Sequence, residues 1–326
     1  MGTSFFELPS EDQQRSLTAF ASDLLKNYGI HDAKISCINF EFNATFSVET
    51  DSGTKYALRI NINSTRTVEN MKGEIEWVRH LNRTSGIHTP TPIATLNDNY
   101  IISGFHKDSE QTLHAVMYSW LEGEELGDEP TLEQLHEVGR AIAILHQESH
   151  DFSLTSESSL PTFNDFFWGT EDYLFSSKSK LSDTDRALIK EAHDHIMKFT
   201  NELYANSPVH IIHADFHGWN LMWNDNRLSI FDFDDCGFGV EAQDLAVVLY
   251  YLDTPEQDVA ILNGYRSVKP LPQYSDLAMK ALLLQRRLLL LNYLFETKNQ
   301  EHQEMLPAYL EKSLERVKSF LTDVRG

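Results

Sequence analysis

His213-Ala214-Asp215-Phe216-His217-Gly218-Trp219-Asn220, followed after a short β-type pair by Phe231-Asp232-Phe233-Asp234-Asp235, is the stretch on which the reading of this chain turns. His213, Asp215 and Asn220 stand at H-x-D-x-x-x-x-N spacing, with Asp232 beyond them. The spacing has a mechanical reason. A carboxylate that takes a proton from a hydroxyl must face that hydroxyl. An amide oxygen a few residues on, and a second carboxylate past a strand turn, must converge on hard Mg²⁺ ions, which take oxygen ligands and bridge phosphates. On this pattern Asp215 is the base, and Asn220 and Asp232 hold metal. His213 is expected to hold the loop through a hydrogen bond rather than to transfer protons. The rival chemistry is a zinc site made by His210, His213, Asp215 and His217, since imidazole and carboxylate are ordinary zinc ligands. Such a site needs neither Asn220 nor Asp232.

Working outward, the chain changes texture once. Ser10 and Gln13 offer a capping box for an amphipathic helix through Leu17, Phe20, Ala21, Leu24, Leu25 and Tyr28, ended by Gly29. Residues 34–40, 45–49 and 55–62 then read as strands, with Asp51-Ser52-Gly53 as the turn between the last two. In the third segment Tyr56, Leu58, Ile60 and Ile62 alternate with polar or small residues, so Ala57 and Arg59 share a face. A helix is predicted over 67–83, with Val68, Met71, Ile75, Val78 and Leu81 as its apolar stripe, and two more strands over 100–105 and 115–120. Beyond residue 120 the pattern is helical. Thr131 and Gln134 form a second capping-box signature, and helical periodicity returns at 183–205, 241–252, 275–297 and 301–322. Residues 153–182, rich in Ser and broken by Pro161, read as a loop-bearing insertion with an aromatic packing cluster at Phe163, Phe166, Phe167 and Trp168. Antiparallel hairpins followed by segregated helices are α+β texture.

These motifs resemble the aminoglycoside phosphotransferase and choline kinase superfamily, within the protein-kinase-like fold, and especially its homoserine-kinase-like branch. The likeness rests on residues 213–221 and 231–235 and on Asp244-Leu245-Ala246. Glu41 to Val48 resembles the hairpin that covers the nucleotide, and Ala57-Leu58-Arg59-Ile60 the third-strand motif. The resemblance implies a protein-kinase-like two-lobed fold: a small antiparallel-sheet N-terminal lobe with one docked helix over 1–116, a hinge over 117–123 whose backbone recognises adenine, and a mainly helical C-terminal lobe over 124–326, with ATP in the cleft. It implies ATP and Mg²⁺ as cofactors and transfer of the γ-phosphoryl group to a hydroxyl. Asp215 and His213 belong to the catalytic loop, Asn220 and Asp232 bind metal, and Arg59, Glu74 and Asn43 surround the nucleotide. Glu74 pairs with Arg59, with Glu76 as the alternative. Asp244 is buried behind the catalytic loop and supports it. The pattern departs from ordinary protein kinases in lacking a Gly-rich loop and an Ala-Pro-Glu motif, in having Arg59 where a Lys is usual, and in having Asp234 where Gly would follow Asp-Phe. By resemblance the acceptor is a small amino alcohol or amino-acid-like hydroxyl, then an aminoglycoside, then a protein Ser/Thr. A catalytically silent nucleotide-binding protein and a metallohydrolase stay open beside these.

The 326 residues carry 27 Lys and Arg against 49 Asp and Glu, a formal charge of −22. That balance excludes non-specific nucleic-acid binding, which depends on basic side chains displacing counterions from phosphates. It suits an amine-bearing acceptor. At 41% hydrophobic residues the chain can build a core. No uncharged apolar run reaches the ~18 residues of a membrane span, and the best candidate, Ala281 to Phe295, is interrupted by Arg286 and Arg287. Cys37 and Cys236 alone do not make a disulfide framework, so a reducing compartment is expected. The opening Met1 to Phe6 lacks the basic and apolar blocks of a secretory signal, and Phe6 does not fit a myristoylation motif. The expectation is a cytoplasmic protein.

Overall fold

The structure, a computed structural model, describes residues 4–84 and 86–326. Met1 to Thr3, read above for a leader, lie outside them. In chain order the elements are α1 (Ser10–Leu25), β1 (Ala33–Phe40), β2 (Asn43–Thr50), β3 (Lys55–Asn61), α2 (Val68–Thr84), β4 (Pro92–Ile93), β5 (Ile101–His106), β6 (Gln111–Ser119) and β7 (Glu124–Glu125). There follow α3 (Leu132–His150), α4 (Asp183–Asn206), β8 (His210–Ile212), β9 (Leu221–Asn224), β10 (Arg227–Ile230), β11 (Gly237–Gly239), α5 (Glu241–Tyr250), α6 (Pro255–Arg266), α7 (Asp276–Glu296) and α8 (Gln300–Arg325). They form two compact units. The first runs to Glu124 and takes in Phe152–Ser159 and Met222–Asp234; the second comprises Glu125–Asp151, Leu160–Leu221 and Asp235–Gly326.

The first unit is built on an antiparallel sheet of order β1-β2-β3-β6-β4, with β5 also on β6. Strand alternation divides its residues between two faces. One face buries Ala44, Phe46, Val48, Leu58, Ile60, Leu113, Ala115 and Met117 against Leu17, Ala21, Leu24 and Leu25 of α1. On the other, α2 sets Met71 and Ile75 against Val116 and Tyr118. So α2 is the docked helix the sequence led one to expect, and α1 covers the opposite face. Arg59 stands on the α2 side, opposite Thr45 of β2 and Val116 of β6, with Asn61 opposite Asn43. The predicted Ser10–Gln13 capping box does not form. Pro9 takes the cap position without a side-chain hydrogen bond, Ser10 is already helical, and Gln13 Nε2 donates instead to the Leu8 carbonyl at 2.8 Å. A ring-locked proline at the entry starts the helix one residue too early for the box. Segment 152–159 is tied to α2 by Glu76, which accepts from the Thr155 N–H at 3.0 Å and from the Thr155 and Ser158 hydroxyls at 2.6 Å each.

The second unit is mainly helical. One of its cores joins Ile189, Ala192 and Ile196 of α4 to Ala281, Leu284, Leu288 and Leu291 of α7 and Val317 and Phe320 of α8. Phe166 belongs to the same core, and the capping box at Thr131 and Gln134 forms as expected. Helix α6 was not visible in the sequence, because it buries only Ile261, Gly264 and Tyr265. Its contact with α3 is made by backbone: a Cβ on Gly139 would meet the Ile261 carbonyl oxygen at 2.0 Å, and one on Gly264 the His136 carbonyl oxygen at 1.9 Å. The antiparallel pair β8–β11 delivers the chain to His213.

Candidate active site

In the second unit the loop after β8 is held from behind. Asp244 of α5, fully buried, accepts from the His213 N–H at 3.0 Å and the Ala214 N–H at 2.7 Å. It also meets His146 Nε2 at 3.0 Å, while His146 Nδ1 reaches the Tyr265 hydroxyl at 3.0 Å. Directly after the two bound amides Ala214 takes φ = 67°, a left-handed conformation that costs a residue with a Cβ about 1 kcal/mol or more. The cost is met by the paired N–H groups, and its product is the direction in which Asp215 points. His213 is also fully buried, and its Nδ1 accepts from the Asp215 N–H at 3.3 Å.

The Asp215 carboxylate is engaged on both oxygens. Oδ1 accepts from Arg286 Nη2 of α7, while Oδ2 meets His217 Nε2 at 3.1 Å and Asn220 Nδ2 at 3.0 Å. Asn220 Nδ2 also donates to the Asp215 carbonyl at 3.0 Å, which leaves the amide oxygen for another partner. His217 Nδ1 accepts from the Trp219 N–H at 3.2 Å, so Nε2 carries the proton that is offered to Asp215. Arg286 Nη2 donates in addition to the Tyr251 hydroxyl at 2.7 Å, and its guanidinium lies 5.4 Å from the centre of that ring. Burial alone would raise the Asp215 carboxyl, but the Arg286 charge and the His217 contact outweigh it and hold the group well below the ordinary carboxylate range.

The first unit holds a second cluster. Arg59 grips Glu74 of α2 through both forks, Nη1 to Oε1 at 2.9 Å and Nη2 to Oε2 at 2.5 Å, and the Tyr118 hydroxyl donates to Glu74 Oε1 at 2.6 Å. Asp234 stands 3.4 Å from Arg59 Nη2 and accepts from Asn43 Nδ2 at 2.8 Å. Burial opposes the charge on Arg59, but Glu74 and Asp234 raise its affinity for the proton well above the ordinary value. Several polar atoms of this face are buried without a hydrogen bond: Arg59 Nε, Asn43 Oδ1, Asp234 Oδ1 and both ends of the Asn61 amide. Buried orphans of this kind call for a ligand or ordered water. Oxygen acceptors and a guanidinium on one face suit a phosphate with its hard cation. Asp232 lies in this unit with φ = 59°, the second strained non-glycine of the motif.

The geometry thus brings together Asp215, His213 and Asn220 in one unit, and Arg59, Glu74 and Asn43 in the other. Glu74, not Glu76, pairs with Arg59. Among the described residues no group of three or more His, Cys, Asp or Glu side chains is arranged to hold a metal, so the zinc cluster of His210, His213, Asp215 and His217 is not assembled. Sequence reasoning missed Arg286, Tyr251 and Tyr118, and took His217 only as a zinc ligand. The signal for Arg286 was present, as a charge interrupting the apolar run of α7.

Comparison with known proteins agrees with this arrangement. Residues 41–277 match the Phosphotransferase enzyme family (APH). The chain is 26% identical over 274 residues to the amicoumacin kinase of Bacillus subtilis (strain 168), covering 78% of this chain and 79% of that one. It is 27% identical over 278 residues to the homoserine kinase of Parvibaculum lavamentivorans, covering 82% and 79%. Among solved structures, a microcompartment-associated aminopropanol kinase superposes with a TM-score of 0.79 at 22% identity, over 94% of this chain and 98% of that one, which establishes the protein-kinase-like α+β fold.

Proposed function

The chain belongs to the phosphotransferase enzyme family, and from that premise we propose that it moves the γ-phosphoryl group of ATP, in the presence of Mg²⁺, to a hydroxyl of a small molecule: an amino alcohol, an amino acid or an aminoglycoside. The observation that carries the reading is the strained, doubly anchored turn at Ala214, which holds Asp215 and the Asn220 amide within 3.0 Å of each other. Asp215 orients the acceptor hydroxyl and takes its proton. Arg59, fixed by Glu74, positions phosphate oxygens, with Asn43 beside it; the relatives named above, an amicoumacin kinase and a homoserine kinase, support a small acceptor over a protein one. Asn220 and Asp232 would hold the magnesium, which supplies positive charge against the phosphates. Transfer of this kind proceeds through a loose transition state, so placement of charge and of the nucleophile accounts for most of the rate. Both cysteines are free thiols, which supports a reducing, cytoplasmic setting; among the described residues no helix is long and apolar enough to cross a membrane.

The test is ADP release from Mg·ATP with amino alcohols, hydroxy amino acids and aminoglycosides, run beside Asp215→Ala. The expected result is stimulation by a compound of one of these groups and its loss in the variant. Binding of Mg·ATP with no acceptor-stimulated turnover across the panel would sink the reading.

A further inference from the structure

Two adjacent arginines break the apolar run of α7, and neither is spent on an ordinary surface pair. Arg287 has no carboxylate partner among the described residues, in a chain with 49 acids: its guanidinium lies 4.7 Å from the Tyr309 ring and 5.8 Å from the Tyr250 ring and donates to Ser313 Oγ at 3.3 Å. Arg286 meets Asp215 through a single nitrogen, while its Nε is buried and donates to nothing. A guanidinium is a planar fork whose best partner is a carboxylate taken by two nitrogens at once. Its grip on Asp215 falls short of that.

The contact also creates a chemical problem. Every Asp215 carboxylate oxygen already accepts a hydrogen bond, Oδ1 from Arg286 and Oδ2 from His217 and Asn220. A carboxylate offers about four lone pairs, so these three hydrogen bonds leave one, on Oδ1, and that oxygen is shared with the Arg286 charge. His217 and Asn220 belong to the same loop as Asp215 and stay with it. Arg286 comes from another element, and its second partner, the Tyr251 ring, is 39% exposed, so this side can be reached from solvent.

Within the phosphotransferase reading, on which this inference rests, we propose that Arg286 is an acceptor-specificity and positioning residue: it selects a hydroxy compound that carries a carboxylate a few bonds from its hydroxyl, and releases Asp215 Oδ1 when that carboxylate takes its guanidinium. The exchange replaces a one-nitrogen contact by a two-nitrogen one, and it frees the base only when an acceptor is present. The acceptor oxygen then bonds to the γ-phosphorus as the bond from that phosphorus to the β–γ bridging oxygen breaks. ADP leaves with the electron pair, and the hydroxyl proton passes to Asp215 Oδ1. An amino alcohol without a carboxylate offers Arg286 only like charge and leaves the base engaged.

The test compares acceptors that differ by one carboxylate: L-homoserine against 3-aminopropan-1-ol, L-threonine against 1-aminopropan-2-ol, and L-serine against ethanolamine. The quantity read is the ratio of kcat/KM within a pair, in the wild type, in Arg286→Gln and in Arg286→Lys. Because both members use the same base, a general injury to Asp215 cancels from the ratio. Far-UV spectra and Mg·ATP binding check that the variants fold. The expected wild-type preference for the carboxylate-bearing member is on the order of 10²-fold or more, because a site built to hold a polar group is left unpaired without it. Arg286→Gln should bring the ratio to within a few-fold of unity, chiefly through KM, and Arg286→Lys should restore part of it. A wild type that prefers the amino alcohols, or an Arg286→Gln variant that keeps the preference, overturns the proposal. If no compound supports ADP release, the phosphotransferase reading itself has failed. Calorimetric titration with L-homoserine then decides this one: binding that Arg286→Gln abolishes upholds it, and equal or absent binding overturns it.

Discussion

The two units each carry an arginine clamped to a carboxylate with a tyrosine as third partner, and the two triads are built for opposite purposes. In the first, Arg59 and Glu74 are bonded through both forks, with side chains 7% and 4% exposed, and Tyr118 donates to the same carboxylate. In the second, Arg286 touches Asp215 through one nitrogen, with side chains 12% and 20% exposed, and Tyr251 lies open to solvent. Breaking the first would strand a charge in the core; breaking the second exposes a charge to water and ligand. One is a strut, the other a contact that can be exchanged.

The largest expected effect separates the carboxylates by what they do. Asp215→Asn should reduce turnover by about 10²- to 10⁴-fold while the melting temperature holds, because the proposed base is lost and little packing changes. Asp232→Ala should be comparably damaging if it carries metal. Steady-state kinetics beside thermal melts reads both, and an Asp215→Asn enzyme with near-normal kcat breaks the assignment. Next in size, Glu74→Gln should cost about 3–5 kcal/mol of unfolding free energy, as expected when one member of a buried ion pair is removed. Arg286→Gln should cost about 1 kcal/mol or less, since Asp215 keeps His217 and Asn220. Equal losses in urea titrations would erase the distinction between strut and exchangeable contact.

How much of this could be read from the chain follows from where each signal lies. Asp215, Asn220 and Asp232 stand in one short stretch, so their types and spacing announce them. The strands and most helices are legible because period-2 and period-3.6 patterns are local. Even the choice between Glu74 and Glu76 had a local signature. Glu74 lies three residues after Met71 and four before Val78, on the stripe that faces the sheet, whereas Glu76 is turned about 200° away from it and binds segment 152–159. Arg286 stood out as a charge in the apolar run of α7, but its partnership with Asp215 was beyond reach for a different reason. Its partner lies 71 residues away on another element, and nothing periodic links the two. α6 escaped because its contact is made by missing side chains, which leave no apolar stripe to detect.

The tyrosines sharpen the comparison further. Tyr118→Phe removes a donor to a buried carboxylate and should cost about 1–2 kcal/mol. Tyr251→Phe should stay within about 0.5 kcal/mol, the usual range for exposed sites. Chemical denaturation of the two variants side by side checks this, and a Tyr251→Phe loss as large as that of Tyr118→Phe would count against an open site around Arg286. The smallest effect concerns Glu76. Partial burial works to raise its carboxyl, but hydrogen bonds from Ser158 and Thr155 outweigh it and lower the group below its ordinary value. A carboxyl depressed in the folded state adds stability above its unfolded value of about 4.3, and that contribution is lost as the pH falls below it. Glu76→Gln should therefore cost about 1 kcal/mol at neutral pH, with the gap from the wild type closing below about pH 4. Urea melts at about pH 7 and about pH 3 measure it; a gap that widens on acidification contradicts the sign.

The crossing of α3 and α6 makes the chemistry vulnerable from a distance. Gly139 and Gly264 let the two helices touch backbone to backbone, and the same helices carry His146 and Tyr265, which brace Asp244 and through it the turn at Ala214. A methyl group added at either glycine would act as a wedge whose displacement runs down this chain of contacts to Asp215, the proposed base. Such a lesion would look, in a survey of inactive variants, like a defect with no cause in view: every reacting group present, and the aim of Asp215 lost.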